Sequence, residues 1–249
     1  MRSNYNCSFK FRDILFEALT LCSSVPFLRD LPIKFIDDSG LKYYARFQES
    51  WRFNKPFEPL TYEFFMKNAK ESDLFLDIGA HVGIYSIKLA QKVSKVIALE
   101  PEPKNYGFLY KNVFINNLSN KVIPLPIAAS DKDGYADLCV RVSSGAHTLE
   151  DSLNCKRKMK IITLRVDTLL RTLKIEKVNM IKIDVEGHET RVIDGMYRLL
   201  NYNPPKVLVI EIQKKNSYLL KMFVELGYNV VKLDCYNSAC NYGFYLIMR

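Results

Sequence analysis

Tryptophan occurs once and histidine three times in these 249 residues, and the six cysteines are scattered. No cysteine pair forms C-x-x-C, and no Cys/His cluster has zinc spacing, so no metal-ligand set is assigned. Cys235 and Cys240 could pair, but scattered reduced thiols in a cytosolic protein are the expectation. Long apolar runs are also missing. The stretch from Ile14 to Leu28 is interrupted by Glu17 and Pro26 and falls short of the roughly 20 residues of a membrane span. No charged start with an apolar core and cleavage site is visible. A cytoplasmic location is expected by default. Internal repeats, low-complexity segments and a basic tail are absent too. Lys+Arg 36 against Asp+Glu 27 leaves a net charge of +9, spread along the chain, which favours anionic partners. The densest basic run, Lys156 to Lys160, reads as a loop or strand start.

What is present is an ordinary globular balance of 48% apolar and 25% charged residues. It is organised around Asp77-Ile-Gly-Ala-His-Val-Gly83. A buried strand, Leu74 to Ile78, ends in an acid and turns through glycines into a helix from about Gly83 past Ala90. Glycines let backbone approach a ligand, and a helix start offers N–H groups to an anion. A nicotinamide dinucleotide asks for G-x-G-x-x-G, but His81 stands near the middle glycine's place. A ligand with an amino-acid head, such as S-adenosylmethionine, suits the turn better.

Residues 9–22 have the spacing of an amphipathic helix. Ile33 to Asp37 and Leu41 to Phe47 flank Asp38-Ser-Gly40 as a hairpin, and Trp51, Phe53 and Phe57 follow. Residues 1–58 are read as an accessory segment, a lid or substrate wall, and residues 59–249 as the main domain. Helices are predicted from Glu58 to Ala69, from Pro103 to about Asn116, through about Leu200 and from Lys214 to Leu226. Strands are predicted at Lys95 to Glu100, Lys121 to Ala128, Tyr135 to Val142, Ile161 to Val166, Met180 to Asp184 and Lys206 to Glu211. The prolines of the Lys121 strand suggest an edge. Asp167 is read as capping the short helix after it. Tyr228 to Leu233 and Phe244 to Met248 should pair antiparallel. The expectation is a doubly wound α/β domain with a mixed sheet.

Four buried strands end in acids: Asp77, Glu100, Asp184 and Glu211. Ligands bind at the carboxyl ends of such strands. Glu100 lies about twenty residues past the glycine turn, where an acid binds ribose hydroxyls. Asp184 and Glu186 share a side if their strand persists. Glu186 and Glu189 also suit a helix first turn. A hydroxyl acceptor needs a base or metal beside it, with Asp184, Glu186 and His188 nearest and His147 another candidate.

Asp77-Ile-Gly-Ala-His-Val-Gly-Ile-Tyr85, Ala98-Leu-Glu-Pro101 and Ile181-Lys-Ile-Asp-Val-Glu-Gly-His-Glu189 resemble the signatures of FkbM-type S-adenosylmethionine-dependent methyltransferases. The resemblance covers roughly residues 60–249. It implies the seven-stranded class I methyltransferase fold, Rossmann-like, and methylation of a hydroxyl on a small molecule or glycan. It implies that Asp77, Gly79, Ala80 and Gly83 hold the methionine part, and that Glu100, with Pro101 after it, holds the ribose. Ala128 and Ala129 would lie near the adenine, and Asp184 and Glu186 near the transferred methyl. His81 departs from the family's usual Asn. An RNA ribose hydroxyl is a possible but less favoured acceptor, and a non-catalytic module on the same scaffold is the alternative from another class.

Overall fold

The computed structural model describes residues 29–53, 57–150, 155–213, 216–235 and 242–248. The helix expected over residues 9–22 lies outside them. β1 (Pro32–Ile36) and β2 (Lys42–Arg46) form the expected hairpin, followed by a 3-10 turn, Phe47–Phe53, and helix α1 (Pro59–Asn68). Then come β3 (Leu74–Ile78), α2 (Ile84–Leu89), β4 (Lys95–Leu99), α3 (Pro103–Ile115) and β5 (Val122–Leu125). β6 (Ala128–Ala129), β7 (Gly134–Val140) and β8 (Arg157–Leu164) precede α4 (Val166–Thr172) and β9 (Met180–Ile183). α5 (Glu189–Asp194), α6 (Tyr197–Tyr202), β10 (Val207–Gln213), α7 (Tyr218–Glu225), β11 (Asn229–Cys235) and β12 (Tyr242–Met248) complete the chain.

Seven strands form one sheet in the order β11-β12-β10-β9-β3-β4-β5. The pairs β10/β9, β9/β3, β3/β4 and β4/β5 are parallel, and β12 is antiparallel to both neighbours. After β3 the chain builds outward to β4 and β5, then returns to lay β9 on β3's other side. The strand order therefore reverses between β3 and β9. β5, with Pro124, takes the edge, where a missing N–H costs no ladder bond.

The expected strand over Lys121 to Ala128 is split. Its end joins β7 and β8 in a separate three-stranded sheet, β6-β8-β7. There Cys139 and Cys155 are joined in a disulfide, Cα atoms 5.2 Å apart, which corrects the expectation of free thiols for that pair. Antiparallel pairing of β7 with β8 brings the two together from 16 residues apart. The helix expected to reach Leu200 breaks at Gly195. Asp167 does not cap its own helix; its carboxylate accepts from the amides of Arg198 and Leu199, at 2.8 and 3.0 Å, at the start of α6.

Period-two alternation assigns the strand residues to two cores. Leu76, Ile78, Ile97, Leu99, Ile181, Ile183, Leu208 and Ile210 pack under α4 to α7. Phe75, Val96, Ala98, Met180, Val207 and Val209 pack under α1, α2, α3 and the hairpin, whose Tyr43 and Ala45 are fully buried. Asn112 and Asn116, one turn apart on α3, pair with backbone groups of Tyr44 and Lys42 (Asn116 Oδ1 to Lys42 N, 2.9 Å). Two side-chain amides thus occupy the open edge of β2 as a strand would. Among the described residues no helix is long and apolar enough to cross a membrane.

Two glycines give a direct test. A Cβ on Gly195 would lie 2.0 Å from the carbonyl oxygen of Ser130, whereas one on Gly107, exposed in α3, meets nothing within 4 Å. Gly195→Ala should destabilise the fold by about 2 kcal/mol or more in urea titration. Gly107→Ala should stabilise it by about 0.5–1 kcal/mol.

Candidate functional site

The alternation that separates the cores also places the acids. Asp77 on β3, Glu211 on β10, and Glu100 and Asp184 just past β4 and β9 follow the same parity, on the face of α1, α2 and the hairpin. Beside the β3/β9 reversal lies a cavity of about 310 Å³. Among its walls are Gly79, His81, Glu100, Pro101, Ala128, Ala129, Asp184, Glu186, His188 and Glu211, with Trp51, Arg52 and Phe57 opposite and residues 143–149 along one rim. Asp77, Ala80 and Gly83 stand behind that wall.

The glycine turn does not work as expected. The amides of Gly79 and Ala80 both donate to the carbonyl of Leu99, at 3.0 and 2.9 Å, and Gly83 N donates to Ala80 O. His81 N donates to Glu100 Oε2 at 2.9 Å. These amides are spent inside the fold rather than held for an anion. A Cβ on Gly79 would lie 1.8 Å from Asp184 O, so this glycine permits β3 and β9 to meet. Gly83, at φ +88°, presses instead on Leu109.

Asp77 accepts from Ser86 Oγ at 2.6 Å, and burial pushes its carboxyl up against the pull of Lys182. Lys182, paired with Asp77 in the β3/β9 register, bonds Asp184 Oδ2 at 2.8 Å. Burial acts against the ammonium, but Asp184, Glu58 and Asp77 outweigh it and raise its pKa. Burial alone would raise Asp184, yet Lys182 holds it below the usual range.

Carboxylate oxygens of Asp184, Glu186 and Glu211 lie within 4.8 Å of one another, a spacing that could also hold a cation. Asp184 and Glu186 do not share a strand, because β9 ends at Ile183. A turn with Glu186 at φ +54° and Gly187 at φ +105° folds Glu186 back instead. Burial, then the charge of Asp184, push Glu186 up to about 8. Burial, then Asp184 and Glu186, raise Glu211. Glu100 is pushed up to about 7 by burial, against His81.

Other candidates have structural work. Glu189 accepts from Gly187 N and Asn216 Nδ2, both at 2.7 Å, so it fastens the turn. His188 has both ring nitrogens engaged, Nε2 with Ser130 Oγ at 2.9 Å and Nδ1 with Glu150 Oε1 at 2.8 Å. It joins three loops rather than offering a free base. His147 accepts from Arg141 N at 3.1 Å through Nδ1, and burial pushes it down to about 4.

Several residues were not read as functional from sequence. Lys182 was legible as the single charge within the apolar β9. Arg46, Glu49 and Glu102 form a buried knot with Asn105 and Ser144; Arg46 bonds Glu102 at 3.1 Å and His81 Nε2 meets Glu49 Oε1 at 3.0 Å. Burial would raise Glu49, but His81, Ser144 and Arg46 bring it down to about 2. Glu102, not Glu100, caps α3.

The Methyltransferase FkbM domain matches residues 77–242. The chain belongs to the FkbM methyltransferase family. It is 30% identical to the hexuronic acid methyltransferase AglP of Haloferax volcanii, over 64% of this chain and 66% of that one. It is 23% identical to the methyltransferase sdnD of Sordaria araneosa, over 66% of this chain and 75% of that one. A solved FkbM methyltransferase from Methylobacillus flagellatus KT superposes with TM-score 0.55 at 17% identity, covering 77% of this chain and 48% of that one. The chain thus spans just under two thirds of the Haloferax relative and about half of the solved FkbM protein.

Lys182 gives the prediction here. Lys182→Met leaves Asp77 and Asp184 buried without their counter-charge and should cost about 3–5 kcal/mol. Both carboxyls would then bind protons more tightly folded than unfolded. The loss should therefore grow between pH 5 and pH 8 in urea titrations.

Proposed function

We propose that this FkbM-family protein is an S-adenosylmethionine-dependent O-methyltransferase acting on a hydroxyl of a small molecule or glycan. One observation carries the reading: Asp184, Glu186 and Glu211 converge within 4.8 Å in the cavity that Glu100 also lines. The printed name of the Haloferax relative, a hexuronic acid methyltransferase, supports a glycan acceptor.

When bound, the cofactor supplies an electrophilic methyl on a sulfonium, and the residues present suit it. Glu100, fixed by the amides of His81 and Glu102, would take the ribose hydroxyls. Ala128 and Ala129, small and apolar, would face the adenine. Gly79 and His81 would lie along the methionine part. Asp77 would act from behind, through Lys182. Asp184, held ionised by Lys182, would favour positive charge at the reacting centre. Glu186 would accept the proton as the acceptor oxygen bonds the methyl carbon and the carbon–sulfur bond breaks. Residues 1–58 would supply the acceptor's wall through Trp51 and Arg52. An RNA acceptor would instead bind with steep salt dependence.

A carboxyl at about 8 works as a base only after losing its proton. Hence kcat/KM should rise with pH through about 8 and level off above. Glu186→Gln should remove that limb and slow turnover about 10²–10⁴-fold. Asp184→Asn should keep S-adenosylhomocysteine binding in calorimetry while losing turnover. No binding of S-adenosylhomocysteine to the wild-type protein would overturn the reading. Turnover lost to EDTA and restored by Mg²⁺ would move activation of the hydroxyl from Glu186 to a cation.

A further inference from the structure

In the wall of the same cavity stands an arginine whose Nε has no hydrogen-bond partner among the described residues. Arg52 closes the 3-10 turn Phe47–Phe53, its guanidinium carbon 4.8 Å from the ring centre of Trp51 and 4.6 Å from that of Phe57. The two rings meet edge-on at 5.6 Å and form its bed. Its far end lies where Gly145 has no side chain; a Cβ there would come 2.5 Å from Nη2. Arg52 Nε is shielded from solvent without a hydrogen-bond partner, and among the described residues the guanidinium donates no hydrogen bond. A stacked, planar donor fork matches an incoming carboxylate bidentately.

The charges around it leave that role open. Asp184 is a strand-end acid acting on it, but Asp184 is already bonded to Lys182 at 2.8 Å. Asp184 thus has a cation of its own without Arg52. Trp51, half exposed beside the guanidinium, offers an apolar ring face for the carbon side of a sugar.

Resting on the methyltransferase reading above, we propose that Arg52, bedded on Trp51 and Phe57, binds a carboxylate carried by the acceptor, so that the substrates are acidic sugars of the uronic class. The cofactor's amino-acid head also carries a carboxylate. Arg52, however, lines the cavity together with Asp184 and Glu186, the acids assigned to the transferred methyl, and its far end meets Gly145 in the loop after β7. That places it on the acceptor's side.

The test titrates glucuronate and glucose into the S-adenosylhomocysteine complex of wild type, Arg52→Lys and Arg52→Met, followed by saturation-transfer NMR and calorimetry. Glucuronate should bind wild type at least about thirtyfold more tightly than glucose, and Arg52→Met should lose that preference. Arg52→Lys should keep part of it, since charge remains without the fork. S-adenosylhomocysteine affinity and melting temperature should match wild type in both variants. Equal binding of the two sugars, or none of glucuronate, overturns the proposal while leaving the methyltransferase reading intact. Loss of S-adenosylhomocysteine affinity in Arg52→Met also overturns it, by giving Arg52 to the cofactor. Failure of wild type to bind S-adenosylhomocysteine sinks the underlying reading instead.

Discussion

A single ammonium group sets the electrostatics of this protein. Lys182 is buried in the middle of a parallel sheet, between Asp77 on the next strand and Asp184 two residues on. A charge there is costly unless its partners are fixed. They are fixed, Asp77 by Ser86 and Asp184 by Lys182 itself, and the Tyr85 ring lies 4.8 Å from the ammonium. Because Lys182 keeps Asp184 ionised, the remaining acids titrate against a standing negative charge. Burial raises Glu186 and Glu211 and that charge raises them further, while Lys182 overcomes burial at Asp184 and lowers it. Groups of one kind pushed apart in this way can divide ion pairing and proton transfer between them.

The geometry around this centre is held by polar ties between segments distant in sequence. His188 links the residues after β6, the turn after β9 and the loop around Glu150. The knot of Arg46, Glu49, Glu102 and Asn105 binds the hairpin to the start of α3 and, through His81, to the glycine turn. The Arg46 knot and the His188–Ser130 bond are buried and therefore costly to leave half made. Together they tie the cavity walls to one another.

The sheet was largely readable because its signal is local. Short apolar runs, bounded by glycine, proline and acids, placed β3, β4, β9 and β10 within a residue or two, and the structure puts the four acids at their ends on one face. The expected pairing of Asp184 with Glu186 holds for a different reason: a left-handed turn, not a continuing strand, brings them together. Ties between distant residues were not readable. Nothing in the local sequence of Glu49 says that it meets His81, and Asp167 caps α6 from about 30 residues away. The split after Pro124 turned on which sheet would accept Ala128 and Ala129, a tertiary choice that a short apolar run does not encode.

The glycine turn shows how far a motif's chemistry depends on its neighbours. Its pattern promised backbone donors for an anion, yet Leu99 and Glu100 consume the amides of Gly79, Ala80 and His81. The turn is a joint between β3, β4 and β9, and its glycines serve close packing. These three amides are not available to a negative group in this cavity, and the arginine along its walls, Arg52, belongs to the segment before α1, not to the sheet. Such a division leaves the sheet and its acids to set the chemistry. On the proposed reading, the 3-10 turn and the loop after β7 would set which molecule receives it. Substitutions there should then change the acceptor without disturbing Lys182 and the charges it balances.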